Sequence, residues 1–429
     1  MLLIYSSRPS FRLDYIFSLM LTELQGIPYR VIHDKQEFQD YQGPKFSYAD
    51  KPIGDEPFFY ATTLLFERGI KPQEISVFDW GGSKAFFATH PKYLLPFDAF
   101  AAAFYLVSRY EEYLPHQKDQ HSRFDARQSL AYQKGFLQQA VINRWSNQIG
   151  DLLQKHFPQL KLTRPNYQFV STIDIDNAWA YREKGLFRTT AALVRSIVKM
   201  EFKSLRERIS VLIGKTQDPY DTYAHLDRIR EQYNIRCIYF FLLGDYGEND
   251  KNVSIHRKRF QSLIKATADY NLCGIHPSYR SFEEPQRIKV EQQRLMKLIR
   301  KEITHSRQHY LRLRFPDTYR QLIDCDINND YTMGYAHEIG FRAGICTSFY
   351  FYDLGAEQQT NLRIHPFAVM DATLRYYMLL QPGEAMTYVK PLIQEVKSLG
   401  GTMMTLWHNE SISGKAPWDG WRELYEEVV

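Results

Sequence analysis

The sequence predicts an α/β protein of two domains. A chain of 429 residues is longer than one ordinary core accommodates. Its apolar share of 44% and charged share of 24% are those of a folded globular protein. From residue 169 onward, strand-like and helix-like stretches alternate, and repeated βα units imply a parallel sheet or barrel.

The first domain opens with an apolar strand at 2–5, a periodic helix at 13–24 and, after the Gly26-Ile27-Pro28 turn, a strand at 29–32. An amphipathic helix covers 99–113, the polar stretch "LPHQKDQHSRFDARQ" reads as loop, and a further helix covers 136–156. Pro158 and Pro165 in "PQLKLTRPNYQ" mark a linker. The expected division is therefore an accessory α/β domain at 1–160 and a second domain at 166–429. In the second, strands are expected at 169–173, 237–243, 271–275, 309–315, 343–347, 363–369 and 402–407. Helices are expected at 223–232, 254–269, 285–302, 333–339 and 385–399. At 188–214 lies a basic amphipathic helix, read first as a solvated face packed on the second domain and, as the sharper alternative, as a membrane-surface or partner-binding helix.

The net charge of +5 is small for this length, and no nucleic-acid motif accompanies it. Four scattered cysteines, without C-x-x-C spacing, read as free thiols of a reducing compartment. The start "MLLIYSSRPSFRLDYIF" lacks the features of a signal peptide, and no apolar run approaches the roughly 20 residues that span a bilayer. A soluble, cytoplasmic protein without a transmembrane segment is expected.

Candidate chemistry collects at predicted strand ends. "STIDIDNAW" places Asp174 and Asp176 on one face of a strand, where each raises the other's pKa unless something positive stands between them. Solvation at a strand end and binding of a cation both answer that cost. A haloacid-dehalogenase phosphatase would have Thr or Val where Ala178 stands, whereas a D-x-D glycosyltransferase holding Mn²⁺ on a diphosphate stays open. His276 ends the strand of "NLCGIHPSYRS" and suits zinc or a similar ion. Arg312 and Arg314 share a face in "RQHYLRLRFPDTY", and an Arg there could hold Asp174 ionised. His408, ending "GGTMMTLWH", could act as a general acid oriented by Asp371 or Asp330.

The order of acidic pair, strand-end His, Arg-x-Pro, later Asp and Leu-x-His resembles the NodB-homology polysaccharide deacetylases, carbohydrate esterase family 4. With "FDAFAAAFYLVSRYEEYLP", "DPYDTY", "HPSYRS", "HYLRLRFPDTY" and "GFRAG", the chain is similar to their bacterial branch carrying an extra N-terminal domain of unknown function. The resemblance implies a distorted (β/α)7 NodB-like barrel that removes N-acetyl groups from a sugar, glycan or glycolipid with one divalent metal, zinc first and cobalt or nickel as substitutes. It implies Asp174 as base, Asp176 and His276 as metal ligands, Arg314 as support for the base, and His408 as the acid. The family's Asp/Trp motif before the last strand is not recognisable, so Asp371 beside His408 rests on its strand-end position alone. Arg280 stands where the family has its second metal His, so a third ligand must come from elsewhere, such as Ser278 or Ser281. A catalytically dead, sugar-binding barrel is the alternative.

Overall fold

The computed structural model describes residues 1–429, the side chain of Phe187 excepted. Fifteen strands are present among the described residues. Strands β1 (Leu2–Ser6), β2 (Tyr29–Ile32), β3 (Lys45–Ala49) and β4 (Phe58–Tyr60) form a parallel sheet in the order β2-β1-β3-β4. Every residue of β1, "LLIYS", is buried, as a parallel strand covered on both faces requires. Next come the small hairpin β5 (Phe78–Trp80) and β6 (Ser83–Ala85).

The second sheet comprises β7 (Gln168–Ile175), β8 (Arg236–Phe241), β9 (Leu272–Ile275), β10 (His305–Ser306), β11 (Asn329–Asp330), β12 (Phe349–Asp353), β13 (Gln358–Ile364), β14 (Val369–Met370) and β15 (Thr402–His408). Their order is β12-β13-β11-β10-β9-β8-β7-β15-β14, and β12 with β13 is the antiparallel pair. The two outer strands do not pair with each other, so the hydrogen bonding describes an open mixed α/β sheet rather than a closed barrel. Gly274 lets β9 sit tightly between its neighbours: a Cβ there would lie 2.7 Å from both the His305 carbonyl and the Phe240 ring. No helix among the described residues is long and apolar enough to cross a membrane.

Several sequence expectations differ from the structure. The 309–315 stretch forms no strand: His309–Leu311 make a 3-10 turn, because Tyr310 and Leu311 both adopt positive φ and turn the chain directly after His309, and 312–315 are irregular. Residues 333–339 form no helix and 343–347 no strand; the Cys346 amide bonds instead to the Asn143 side chain at 3.0 Å. Pro366, lacking an amide hydrogen, separates β13 from β14 inside the expected 363–369 strand. The 99–113 helix is broken at Arg109, which adopts a left-handed conformation between Ala99–Val107 and Tyr110–Tyr113.

That break serves the packing. Arg109 and Arg342 converge on Glu112, with Arg109 Nε at 2.8 Å and Arg342 Nε and Nη2 at 2.9 and 2.6 Å, all three side chains being buried. Burial raises the Glu112 pKa, but the two guanidinium groups outweigh it and hold the carboxyl below its usual value. The cluster ties the 109–113 segment to the turn preceding β12, and the ion pairs Arg12–Glu357 and Arg144–Glu395 tie other residues of the first 160 to the β12–β13 turn and to the helix Pro382–Leu399. Replacing Glu112 by Ala leaves two buried cations short of their shared partner. A loss of about 3–5 kcal/mol in unfolding free energy is expected, read as a lower denaturant midpoint at unchanged slope.

Candidate metal centre and its acid–base pairs

The parallel strands β7, β8, β9, β10, β14 and β15 end on one side, and that end carries the polar residues. Asp174 lies within β7, in register with His408 of β15 and Phe240 of β8, and Asp176 follows the strand. His276 follows the last residue of β9, and Arg307 and His309 follow β10. Apolar runs bury the strand bodies, so the first polar side chains beyond them meet around a common space.

Three of these side chains could hold a metal ion. The ligand atoms of Asp176, His276 and His309 all lie within 4.8 Å of one another. His276 Nε2 stands 3.3 Å from Asp176 Oδ1, and His309 Nε2 stands 3.4 Å from Oδ2. The far nitrogen of each ring is already engaged. His276 Nδ1 lies 2.6 Å from the Arg307 carbonyl, and His309 Nδ1 lies 2.9 Å from Asp250 Oδ1. Such outer partners fix the orientation of a ligating imidazole and leave Nε2 for the ion. Asp176 Oδ1 is buried and makes no hydrogen bond of good geometry, which leaves an acceptor available to a cation. Two nitrogens and a carboxylate oxygen suit zinc or a similar divalent ion. On these grounds the residues fit a metal.

The charges are mutually arranged. Burial raises the Asp176 carboxyl, but His309, His276 and His408 outweigh it and hold the group well below its usual value. Burial lowers His309, and Asp176 together with Asp250 outweighs it, bringing the ring up to about 9. Asp174, fully enclosed, is held by Arg307, whose Nη1 lies 3.1 Å from Oδ1 and 2.6 Å from Thr172 Oγ1. The Arg307 guanidinium also lies over the Phe240 ring, 4.8 Å from its centroid. On the opposite side, His408 Nδ1 is 2.9 Å from Asp371 Oδ1, and the His408 amide donates to Asp371 Oδ2 at 2.7 Å. Burial lowers His408, yet Asp371, Asp176 and Asp174 outweigh it and raise its pKa well above the usual value.

The structure thus brings Asp174, Asp176, His276, His408 and Asp371 together and excludes Arg314. Arg314 is 38% exposed, pairs with Asp317 at 3.1 Å and lies over Phe282, because the turn at Tyr310 carries it away from β7. Arg307 occupies the position expected of it. Arg312 is buried against the Tyr279 and Phe282 rings and bonds to Glu283. Neither serine expected as a third ligand is available: Ser278 Oγ bonds Glu291, and Ser281 Oγ donates to the Ser278 carbonyl. Arg280 is exposed, and Asp330 bonds Thr332 away from His408. Sequence reading missed His309, Arg307 and Asp250. The available signal was a second histidine three residues beyond Ser306, in the very stretch whose alternation resembles a strand.

A cavity of about 340 Å³ opens over this centre. Tyr310, Tyr376, Tyr377 and Trp418 line it, together with Glu410, whose carboxyl burial pushes up to about 7. Arg123, from the loop before the linker, also reaches it, donating to the Tyr310 carbonyl at 2.9 Å and the Tyr377 hydroxyl at 3.4 Å. Aromatic faces with a few convergent polar groups form a ligand site of ordinary size.

Residues 2–158 match a family of unknown function, DUF7033. No curated protein matches the chain. Among solved structures, it is similar to a Mycobacterium smegmatis protein assigned as a polysaccharide deacetylase, at 12% identity and a TM-score of 0.39, covering 62% of this chain and 84% of that one. A Pseudomonas aeruginosa PAO1 protein assigned likewise gives 13%, 0.37, 61% and 83% for the same quantities. A Bacillus cereus polysaccharide deacetylase gives 12%, 0.28, 62% and 87%. These likenesses are distant, and the functional reading rests on the geometry above.

The two arginines separate the sequence expectation from the structure. Arg307→Ala leaves Asp174 buried without its cation and is expected to cost about 3–5 kcal/mol of stability. Arg314→Ala, at an exposed pair, is expected to stay within about 0.5 kcal/mol. Parallel denaturant titrations decide it, and equal losses would contradict the assignment of Arg307.

Proposed function

We propose that this protein hydrolyses N-acetyl groups on a sugar, glycan or glycolipid, with Asp176, His276 and His309 holding one divalent metal, zinc foremost. Residues 166–429 carry the site in this reading, and residues 1–160 are an accessory unit whose Arg123 completes its wall. One observation carries the proposal. Two buried histidines turn Nε2 toward a carboxylate whose Oδ1 makes no hydrogen bond, between a separately held carboxylate and a His–Asp pair.

The metal would supply Lewis acidity toward the amide carbonyl oxygen. Asp174, oriented by Arg307, accepts a proton from the attacking water. The water oxygen bonds to the carbonyl carbon, and the carbon–nitrogen bond then breaks. His408, kept protonated by Asp371 and the neighbouring carboxylates, gives its Nε2 proton to the departing amine nitrogen. Asp371 fixes the ring by bonding both Nδ1 and the His408 amide. A purely sugar-binding protein or a D-x-D glycosyltransferase has no use for a protonated histidine opposite the acidic pair. That favours hydrolysis over both.

The test is acetate release from N-acetylated chito-oligosaccharides, with metal content measured alongside. Wild-type protein is expected to carry close to one equivalent of metal and to release acetate. Asp176→Ala and His309→Ala should lose both, whereas His408→Ala should keep the metal and lose at least about 100-fold in rate. Metal retained in His309→Ala, or acetate release undiminished in His408→Ala, would contradict the assignment.

Metal binding also has a pH signature. In the metal-free protein His309 is protonated up to about 9. Its raised pKa stabilises the folded state fully below the unfolded value of about 6.5, and that stabilisation is lost as pH rises through about 9. Because only a neutral imidazole ligates, metal uptake near pH 7.5 should release a proton, and affinity should climb toward pH 9. Calorimetry in buffers of differing ionisation enthalpy reads that proton directly. Uptake without proton release would show that His309 is not a ligand.

A further inference from the structure

Between β7 and β8 the chain leaves the sheet as two helices, Leu186–Val198 and Phe202–Leu212, joined by a short turn. Their outer surface is unlike the rest of the molecule. Leaving tyrosines aside, thirteen large hydrophobic side chains are exposed among the described residues, and nine lie between 186 and 213. On the first helix Leu186, Val194, Ile197 and Val198 recur at helical spacing, and on the second Phe202, Ile209 and Leu212 do the same. At and around the turn, Val198, Met200 and Phe202 are 75%, 73% and 60% exposed.

The charge is equally concentrated. Residues 186–215 contain seven Lys and Arg and two Glu, a net +5 that equals the net charge of the whole chain. The remainder of the molecule is therefore neutral on balance. Arg195, Lys199, Lys203, Arg206 and Lys215 are all exposed, interleaved with the apolar residues. Single exposed apolar residues on a surface need no explanation, but a contiguous patch within a basic field does.

The base of this hairpin is anchored on the rim of the catalytic cleft. Lys184 Nζ donates to the side chain of Asn177, which lines the cavity. The Arg188 guanidinium lies over the Tyr246 ring at 4.2 Å and donates to the Asn252 carbonyl, flanking the loop that contributes Glu248 and Lys251 to the cavity. Arg208 lies over Tyr181 at 4.7 Å, and Asp218 accepts from the amides of Ala180, Tyr181 and Arg182. The inner face is thus fixed while the apolar, basic face has no cover.

We propose that this hairpin docks the protein on an anionic lipid bilayer, with Val194, Val198, Met200 and Phe202 entering the interface and the surrounding Lys and Arg meeting lipid phosphates. Alternating apolar and cationic side chains on exposed helices are the composition that interfacial binding uses. A second copy of the chain is a poor occupant, because two such faces would oppose +5 to +5. Docking does not depend on the catalytic reading, so the two fail separately.

The test is co-sedimentation of the full chain with phosphatidylcholine vesicles, with and without about 30% phosphatidylglycerol. Binding is expected on the anionic vesicles alone and should weaken as salt rises. The triple variant Lys199→Gln, Lys203→Gln, Arg206→Gln should bind about 100-fold more weakly, at about fivefold per cation. Val194→Ser with Val198→Ser and Phe202→Ser should lose at least about tenfold. These side chains are exposed, so both variants should fold and keep wild-type acetate release from soluble oligosaccharides, and Asp176→Ala should still bind vesicles. Absence of binding to anionic vesicles would overturn the proposal and leave an acidic protein surface as the occupant. So would equal binding by wild type and both triple variants, or a dimer that only these variants dissolve.

Discussion

Two carboxylates at the end of one buried strand set the constraint around which the second sheet is organised. Asp174 near the end of β7 is buried, and Asp176 just beyond the strand is only partly exposed, so water screens one from the other poorly. The chain answers with positive or protonatable groups from three other strands. Arg307 and His309 come from beyond β10, His276 from the end of β9, and His408 from β15. Because neighbouring strands run parallel, all these groups emerge at the same edge, as ligand-binding residues do in parallel α/β sheets generally. Removing any one of them leaves a buried charge uncompensated, so stability and chemistry are coupled at this edge.

The two sides of the centre divide the work. Arg307 bonds Asp174 and stands apart from the candidate metal-ligand set. Asp371 holds His408 in its protonated state across the cavity. Between them the Asp176–His276–His309 set has outer partners on both imidazoles. The residues before the linker are tied to this arrangement: Arg109 and Glu112 lock onto Arg342, and Arg123 reaches the cavity wall beside Tyr377. The cavity wall therefore takes side chains from both halves of the chain.

The positions of several strands and part of the centre could be read from the residues. Apolar runs ending at Asp174, His276 and His408 mark buried parallel strands, and the first polar residue after such a run falls at the sheet edge by geometry alone. The register of β10 could not be read that way. The "HYLRLRF" stretch alternates as a strand does, yet Tyr310 and Leu311 take positive φ, a tertiary choice that local pattern does not carry. The misreading moved the supporting arginine from Arg307 to Arg314 and hid His309. Arg312 looked available for the same reason, although two aromatic rings enclose it. Of the distorted barrel implied by resemblance, the hydrogen bonding shows the mixed α/β sheet but no closure, the outer strands β12 and β14 being unpaired with each other.

The central claim is that His309, rather than a residue near Arg280, completes the metal set. Anomalous scattering from crystals of the full chain loaded with zinc, collected on both sides of the zinc edge, tests it most directly. A single strong peak bonded to Asp176 and to Nε2 of both His276 and His309 is the predicted result. A peak coordinated by Asp176 and His276 with His309 turned away, or zinc bound only elsewhere on the protein, would contradict it.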